Sequence, residues 1–313
     1  MRVRHRGGGG DGTLPPLSNE GGLMDEINNV IVISDQHHGC QVGLFPRAGF
    51  RLDGGPIVHP GNAQLKILDA WDEFWSKWVP KVTRGEPFAV VNNGDSVDGA
   101  HHGAKTQLTQ NYADQAKIAY EVLAPIVDKC QGRYYHIRGT EAHVGQCAEQ
   151  EEQLAQRLGA IPTEHGQHSR YDLWLRVGHA LCHFTHHIGV SSSHAYKTSA
   201  LMRELTEILV NSALWRHEAP DIIARSHAHQ NVEVKEPSAN HYGIGFVTPG
   251  WQAKTPFVWK IPGGRSSEVQ VGGSLIRCGD EEAYTRHFVR SLGRSIACDI
   301  PRVVNAKEPH SEA

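Results

Sequence analysis

Phe88-Ala-Val-Val-Asn-Asn-Gly-Asp-Ser-Val-Asp98 is a short apolar run cut off by a glycine and a carboxylate. Such a run predicts a buried strand ending in a loop. In open α/β sheets, ligands gather beyond the carboxyl ends of the strands, so Asp95 falls where a ligand would be held. Gly-Asp alone is also an ordinary turn. Four further apolar runs end the same way, and the five together carry the argument.

Asn29 to Ser34 is β-branched and stops at Asp35-Gln36-His37-His38-Gly39. Tyr134 to Ile137 stops at Arg138-Gly139-Thr140-Glu141-Ala142-His143. Ala180 to Thr185, the second arm of a predicted hairpin around Gly178-His179, stops at His186-His187. Asp221 to Ala224 stops at Arg225-Ser226-His227-Ala228-His229. Helical periodicity separates them. One helix is predicted from Asn62 to a stop at Pro80, with Leu65, Leu68, Trp71, Trp75 and Trp78 on its apolar face. Others are predicted over Thr106 to Lys129, Ala148 to Leu158 and Ser199 to Trp215. Alternating stretches near 243–247, 257–261, 269–276 and 284–289 predict antiparallel strands in the C-terminal third.

The chain has 313 residues and a formal net charge of −3, which excludes a global basic field of the kind that marks many nucleic-acid binders. Six cysteines without a Cys-x-x-Cys pair argue against a zinc ribbon and a disulfide framework, and fit a reducing cytoplasm. No apolar stretch reaches the roughly 20 residues of a membrane span. Residues 1–26 are rich in Gly and Arg and predict a flexible tail. Residues 27–300 are expected to form one large domain, with 261–300 completing a sheet or forming a cap, and 301–313 a second tail.

Histidine is unusually abundant, at 21 residues. The strand ends collect Asp35, His37, Asp95, Glu141, His143, His186 or His187, His227 and His229. Carboxylates mixed with imidazoles, without thiolate, suit manganese, iron or zinc at a reactive centre better than a structural zinc cage. A His-x-His pair on extended backbone would point both rings the same way, one to each of two neighbouring ions. Two such ions would serve displacement at phosphorus.

In their order, these blocks resemble those of the calcineurin-like metallophosphoesterases: Asp-x-His, Gly-Asp, Gly-Asn-His-Asp/Glu, His, and Gly-His-x-His. The general form is similar to phage-associated members of that superfamily. The resemblance spans about residues 29–230. It implies a four-layer αββα sandwich of two mixed sheets, with two divalent ions at the strand ends. Manganese is the first expectation, with iron, zinc or nickel as alternatives. One ion would be held by Asp35, His37, Asp95 and His229, the other by Asp95, Glu141, His186 and His227, with Asp95 bridging. His186 is preferred to His187 as the first residue past its strand, though both lie within reach.

Two blocks depart from the pattern. Glu141 replaces the usual asparagine with the histidine displaced to His143, and Ser226 replaces glycine. The resemblance implies attack by metal-bound hydroxide, with His143 as general acid. His101, His102, Arg138 and His187 are candidates for holding phosphate. The arginine that protein phosphatases of the superfamily place after this Gly-Asp is missing, which favours a phosphodiesterase or nuclease. A phosphomonoesterase or phosphoprotein phosphatase is the alternative, and a non-catalytic scaffold a further one. The expected partner is a phosphodiester, such as a nucleotide or nucleic acid. Trp251 is read either as core or as a base-stacking platform.

Overall fold

A computed structural model describes residues 27–101, 103, 105–145, 148–189, 196–237, 242–261, 264–293 and 298. His102 and the two predicted tails lie outside the described residues.

The chain folds as an α/β protein with two mixed sheets. Strand β1 (Asn29–Ile33) is buried along its whole length, which explains its unbroken apolar sequence. It pairs in parallel with β4 (Ala89–Asn92), which continues in parallel to β5 (Tyr134–Ile137) and β6 (Ser169–Arg170). On its other side β1 pairs antiparallel with β12 (Gln270–Cys278), itself antiparallel to the edge strand β13 (Ala283–Ser291). The second sheet has the order β10-β11-β9-β8-β7. Its members are β7 (Asp172–Val177), β8 (Ala180–Thr185), β9 (Ile222–Arg225), β10 (Val232–Pro237) and β11 (Tyr242–Val247). Strands β8, β9 and β11 are parallel, and the ends are antiparallel. A two-residue ladder joins β2 (Phe50–Arg51) and β3 (Ile57–Val58).

The pleat of β1 sorts its side chains between two cores. Val30 and Val32 belong to a cluster with Val177, Phe184, Ile222 and Phe246 of the second sheet. Ile31 and Ile33 belong to another with Ile67, Trp71 and Phe74 and with Leu123. Those residues come from α1 (Asn62–Glu73), the π-helical turn 74–78 and α3 (Tyr112–Lys129). A third cluster packs Leu201 and Leu205 of α6 (Ser199–Trp215) on Ile223, Val232 and Val247.

Pro80 does not stop the first helix as predicted. The π turn brings the Val79 N–H to Phe74 O, and a short helix α2 (Val79–Val82) follows with Pro80 in its first turn, where no N–H is needed. The second helix starts at Tyr112 rather than Thr106, because Asn111 accepts the Ala113 N–H at 3.0 Å and caps it there. The predicted strand 257–261 is a turn closed by Lys260 N–H to Phe257 O. Trp251 is fully buried, edge-on to Trp71 at 4.8 Å between ring centres, and is core rather than a stacking platform. No described helix is long and apolar enough to cross a membrane.

Candidate metal centre

Five parallel strands, β1, β4, β5, β8 and β9, end at one place, and the loop beyond each delivers polar side chains there. Main-chain bonds lock the loops together. Asp35 N–H donates to Gly94 O, His37 N–H to Asp95 O and Ser226 N–H to His186 O. Asn93 crosses between the sheets, donating to Thr185 O at 3.0 Å and Ser226 Oγ at 2.7 Å. Ser226 supplies that acceptor.

The backbone of the site is unusual. Asp35, His37, Asp95, His227 and His229 all have positive φ, between 47° and 69°. A left-handed non-glycine residue costs on the order of 1–3 kcal/mol, and such strain persists where the surroundings over-determine it. Close approach needs glycine as well. A Cβ on Gly139 would lie 2.1 Å from Asp95 Oδ1, and one on Gly94 would lie 2.4 Å from His186 Nδ1.

Two clusters result. In one, Asp35, His37 and His229 present ligand atoms to each other. His37 Nε2 faces His229 Nε2 at 3.2 Å, and His229 Nε2 lies 3.2 Å from Asp35 Oδ1. Asp35 Oδ1 is buried and makes no hydrogen bond. In the other, Asp95, His186 and His227 converge, with His186 Nε2 at 3.1 Å and His227 Nδ1 at 4.0 Å from Asp95 Oδ2. Asp95 also groups with His37 and His143, so it is common to both sides. Asp35 Oδ1 reaches to 4.0 Å from His186 Nε2.

The ring tautomers are fixed by carbonyl oxygens, which only accept. His186 Nδ1–H donates to Asn93 O at 2.6 Å, and His143 Nδ1–H donates to Asp98 O at 2.7 Å. Each Nε2 is thereby turned toward Asp95, as in metal-ligating histidines whose other nitrogen is anchored. Burial would lower the His186 pKa, but Asp95 and Asp35 raise it to about 10. Burial opposes ionisation of Asp35, yet His229 and His186 hold it below the usual carboxylate range. Burial, with His37 alongside, holds His143 down to about 4, so its ring is neutral at neutral pH. These opposed charges, an unbonded buried carboxylate oxygen and facing imidazole nitrogens fit divalent cations.

The structure brings Asp35, His37, Asp95, His143, His186, His227 and His229 together, and leaves Glu141 outside. Thr140 N-caps the short helix α4 (Glu141–Val144) in extended conformation, so its side chain turns inward while Glu141 begins the helix exposed to solvent. Thr140 Oγ1 lies 3.1 Å from Asp95 Oδ2, 3.3 Å from His186 Nε2 and 3.2 Å from His227 Nδ1. Thr140, rather than Glu141, thus faces Asp95, His186 and His227.

His187 is exposed, its ring 5.3 Å from that of His227 at the rim, while His186 is buried. His101 lies 4.4 Å, centre to centre, from His143, with Nε2 3.8 Å from Asp98 Oδ1. Arg138 is turned away from the centre, donating to Ser169 Oγ at 2.8 Å and standing 3.6 Å from Glu152. His227 and His229 are left-handed rather than extended, and reach different clusters because the chain turns at Ala228, whose N–H donates to Ser226 O. Sequence reasoning missed Glu151, a fully buried carboxylate on α5 (Glu149–Arg157). It accepts Ser96 N–H at 3.0 Å and Gly139 N–H at 2.7 Å, one beside Asp95 and one beside Thr140.

No family model and no curated protein matches the chain. Solved structures do. A conserved protein of Streptococcus pneumoniae, titled a predicted phosphoesterase, is 12% identical over 84% of this chain and 98% of its own, with a TM-score of 0.30. Vacuolar Protein Sorting 29 of Cryptosporidium parvum is 10% identical over 85% and 100%, with a TM-score of 0.34. Sulfate thiohydrolase SoxB of Thermus thermophilus is 12% identical over 89% and 57%, with a TM-score of 0.37. Likeness this distant assigns no activity, and the functional argument rests on the residues.

Proposed function

We propose that the chain is a metal-dependent phosphodiesterase of the calcineurin-like type, a four-layer αββα sandwich holding two divalent ions, manganese first among them. The observation that carries this reading is the placing of Asp95 between two donor clusters assembled from five strand ends. One ion would be held by Asp35, His37, Asp95 and His229, and the other by Asp95, Thr140, His186 and His227. Bound there, the ions would supply Lewis acidity and lower the pKa of water at the centre.

The chain's own groups do the rest. Asp35 and Asp95 hold negative charge that balances the ions. The Nδ1–H bonds of His186 and His143 keep both rings in one orientation. His143 Nε2 stands 3.9 Å from Asp95 Oδ2 and is the group placed to exchange a proton with the departing oxygen. His101 and His187 stand at the rim, where a phosphate oxygen would be met. The turning of Arg138 toward Glu152 favours a diester, whose single negative charge needs no guanidinium clamp.

The test is turnover of bis(p-nitrophenyl) phosphate beside p-nitrophenyl phosphate with manganese supplied, and Asp95→Asn in parallel. Faster diester cleavage, lost in the variant, is expected. Faster monoester cleavage would make the protein a phosphatase, and no manganese-dependent cleavage of either would leave a binding scaffold.

A further inference from the structure

The segment after Trp251 runs from the metal centre into a second cavity. Trp251 N–H donates to Asp35 O, and Gln252 Nε2 lies 3.4 Å from Asp98 Oδ1. Three residues past Trp251, Lys254 enters the wall of a cavity of about 430 Å³. It therefore lies within about 11 Å of Trp251, which is itself bonded to Asp35 O. Lys66, Lys254 and Arg265 line it, with Glu268 as the acidic counterpart, so its lining is net cationic in a chain that is net anionic. Trp259 completes the wall and is 53% exposed, unlike the buried Trp71, Trp75 and Trp251. Lys254 Nζ stands 4.2 Å from the centre of its ring.

An aromatic face and fixed cations beside a candidate phosphoester centre match the two parts of a nucleotide. Bases stack on exposed aromatic rings, and the phosphates meet the cations.

Resting on the phosphodiesterase reading, we infer that this cavity binds a base and adjoining phosphate of single-stranded nucleic acid, extending the site one or two nucleotides from the scissile bond. Lys254 Nζ already lies over the Trp259 ring and donates to Arg265 O at 3.1 Å, so the base would stack on the part of the ring that Lys254 leaves exposed, and Lys66 and Arg265 would hold the backbone.

The probe is a fluorescein-labelled hexathymidylate, with binding followed by anisotropy in EDTA so that no turnover occurs. Trp259→Ala is expected to weaken binding five- to a hundredfold, and Trp259→Phe to restore most of it. Neutralising Lys66 and Arg265 together should flatten the dependence of log affinity on log salt. An abasic hexamer should bind the parent and Trp259→Ala equally. Failure of the parent to bind, or equal binding of hexathymidylate by Trp259→Ala, would overturn the inference. Turnover of bis(p-nitrophenyl) phosphate tests the centre separately: binding without that turnover keeps this cavity and removes the phosphodiesterase reading, and turnover without binding does the reverse.

Discussion

Thr140 holds both oxygens of Asp95, its N–H donating to Oδ1 at 2.7 Å and its hydroxyl reaching Oδ2 at 3.1 Å. The residue that fixes this carboxylate thus also stands between His186 and His227, where the second proposed ion would be held. Thr140→Val keeps the shape and removes the hydroxyl. Half-saturation by manganese, read by calorimetric titration, should weaken about 10- to 100-fold. Glu141→Gln should stay within about twofold of the parent. Reversed effects would return the ligand role to Glu141.

Glu151 supports the same carboxylate from behind. Removing it strands two buried N–H groups, each costing about 1–3 kcal/mol. Glu151→Ala should lower stability by about 2–4 kcal/mol in urea unfolding. Glu151→Gln can accept only one of the two bonds and should fall between them. A Glu151→Ala protein as stable as the parent would show that the carboxylate does not bind these loops.

A third expectation concerns protons. The folded-state pKa of His186 is raised above the ordinary 6.5 to about 10, chiefly against burial by Asp95 and Asp35. In metal-free protein its proton therefore contributes stability fully below pH 6.5, and that stability is lost as pH rises toward 10. A metal ion must displace this proton, so manganese affinity should rise with pH across 6.5 to 8.5, by up to about tenfold per unit. Calorimetry in buffers of different ionisation enthalpy would read the proton released. An affinity flat with pH would remove His186 from the ligand set.

Gly139→Ala places a Cβ 2.1 Å from Asp95 Oδ1 and 2.4 Å from Asp95 N. It should abolish manganese-dependent turnover and raise the sensitivity to urea. Gly61→Ala, with nothing within 4 Å of its Cβ, should change turnover by less than twofold. Equal behaviour of the two variants would mean the loops around Asp95 tolerate displacement.

Strand ends were readable because a buried parallel strand has a stark sequence: apolar residues on both faces, then an abrupt polar loop. Residue order alone collects Asp35, His37, Asp95, His227 and His229 at the strand ends, with His186 or His187, and the structure brings the first five together with His186. The approach of Thr140 to Asp95 is hidden in the sequence, because it depends on the extended N-cap conformation that turns its side chain inward while Glu141 starts the helix. Glu151 gave no local sign, since its partners lie 55 and 12 residues away. The turn at 257–261 misled because alternation describes side chains, whereas a strand also needs a neighbour with free backbone groups.

The first strand of the chain lies between β4 and a partner near its other end: Asn29 pairs with Arg277, 248 residues later. A ribosome delivers these segments in order, so β1 and its ligand loop emerge long before their antiparallel neighbour and before the Trp251 N–H that fastens Asp35. Closing so long a loop is slow, and the nascent chain carries an open strand edge meanwhile. The centre is therefore among the last parts of the molecule to exist, and truncation between His229 and β12 should leave a chain that holds every proposed ligand yet cannot gather them.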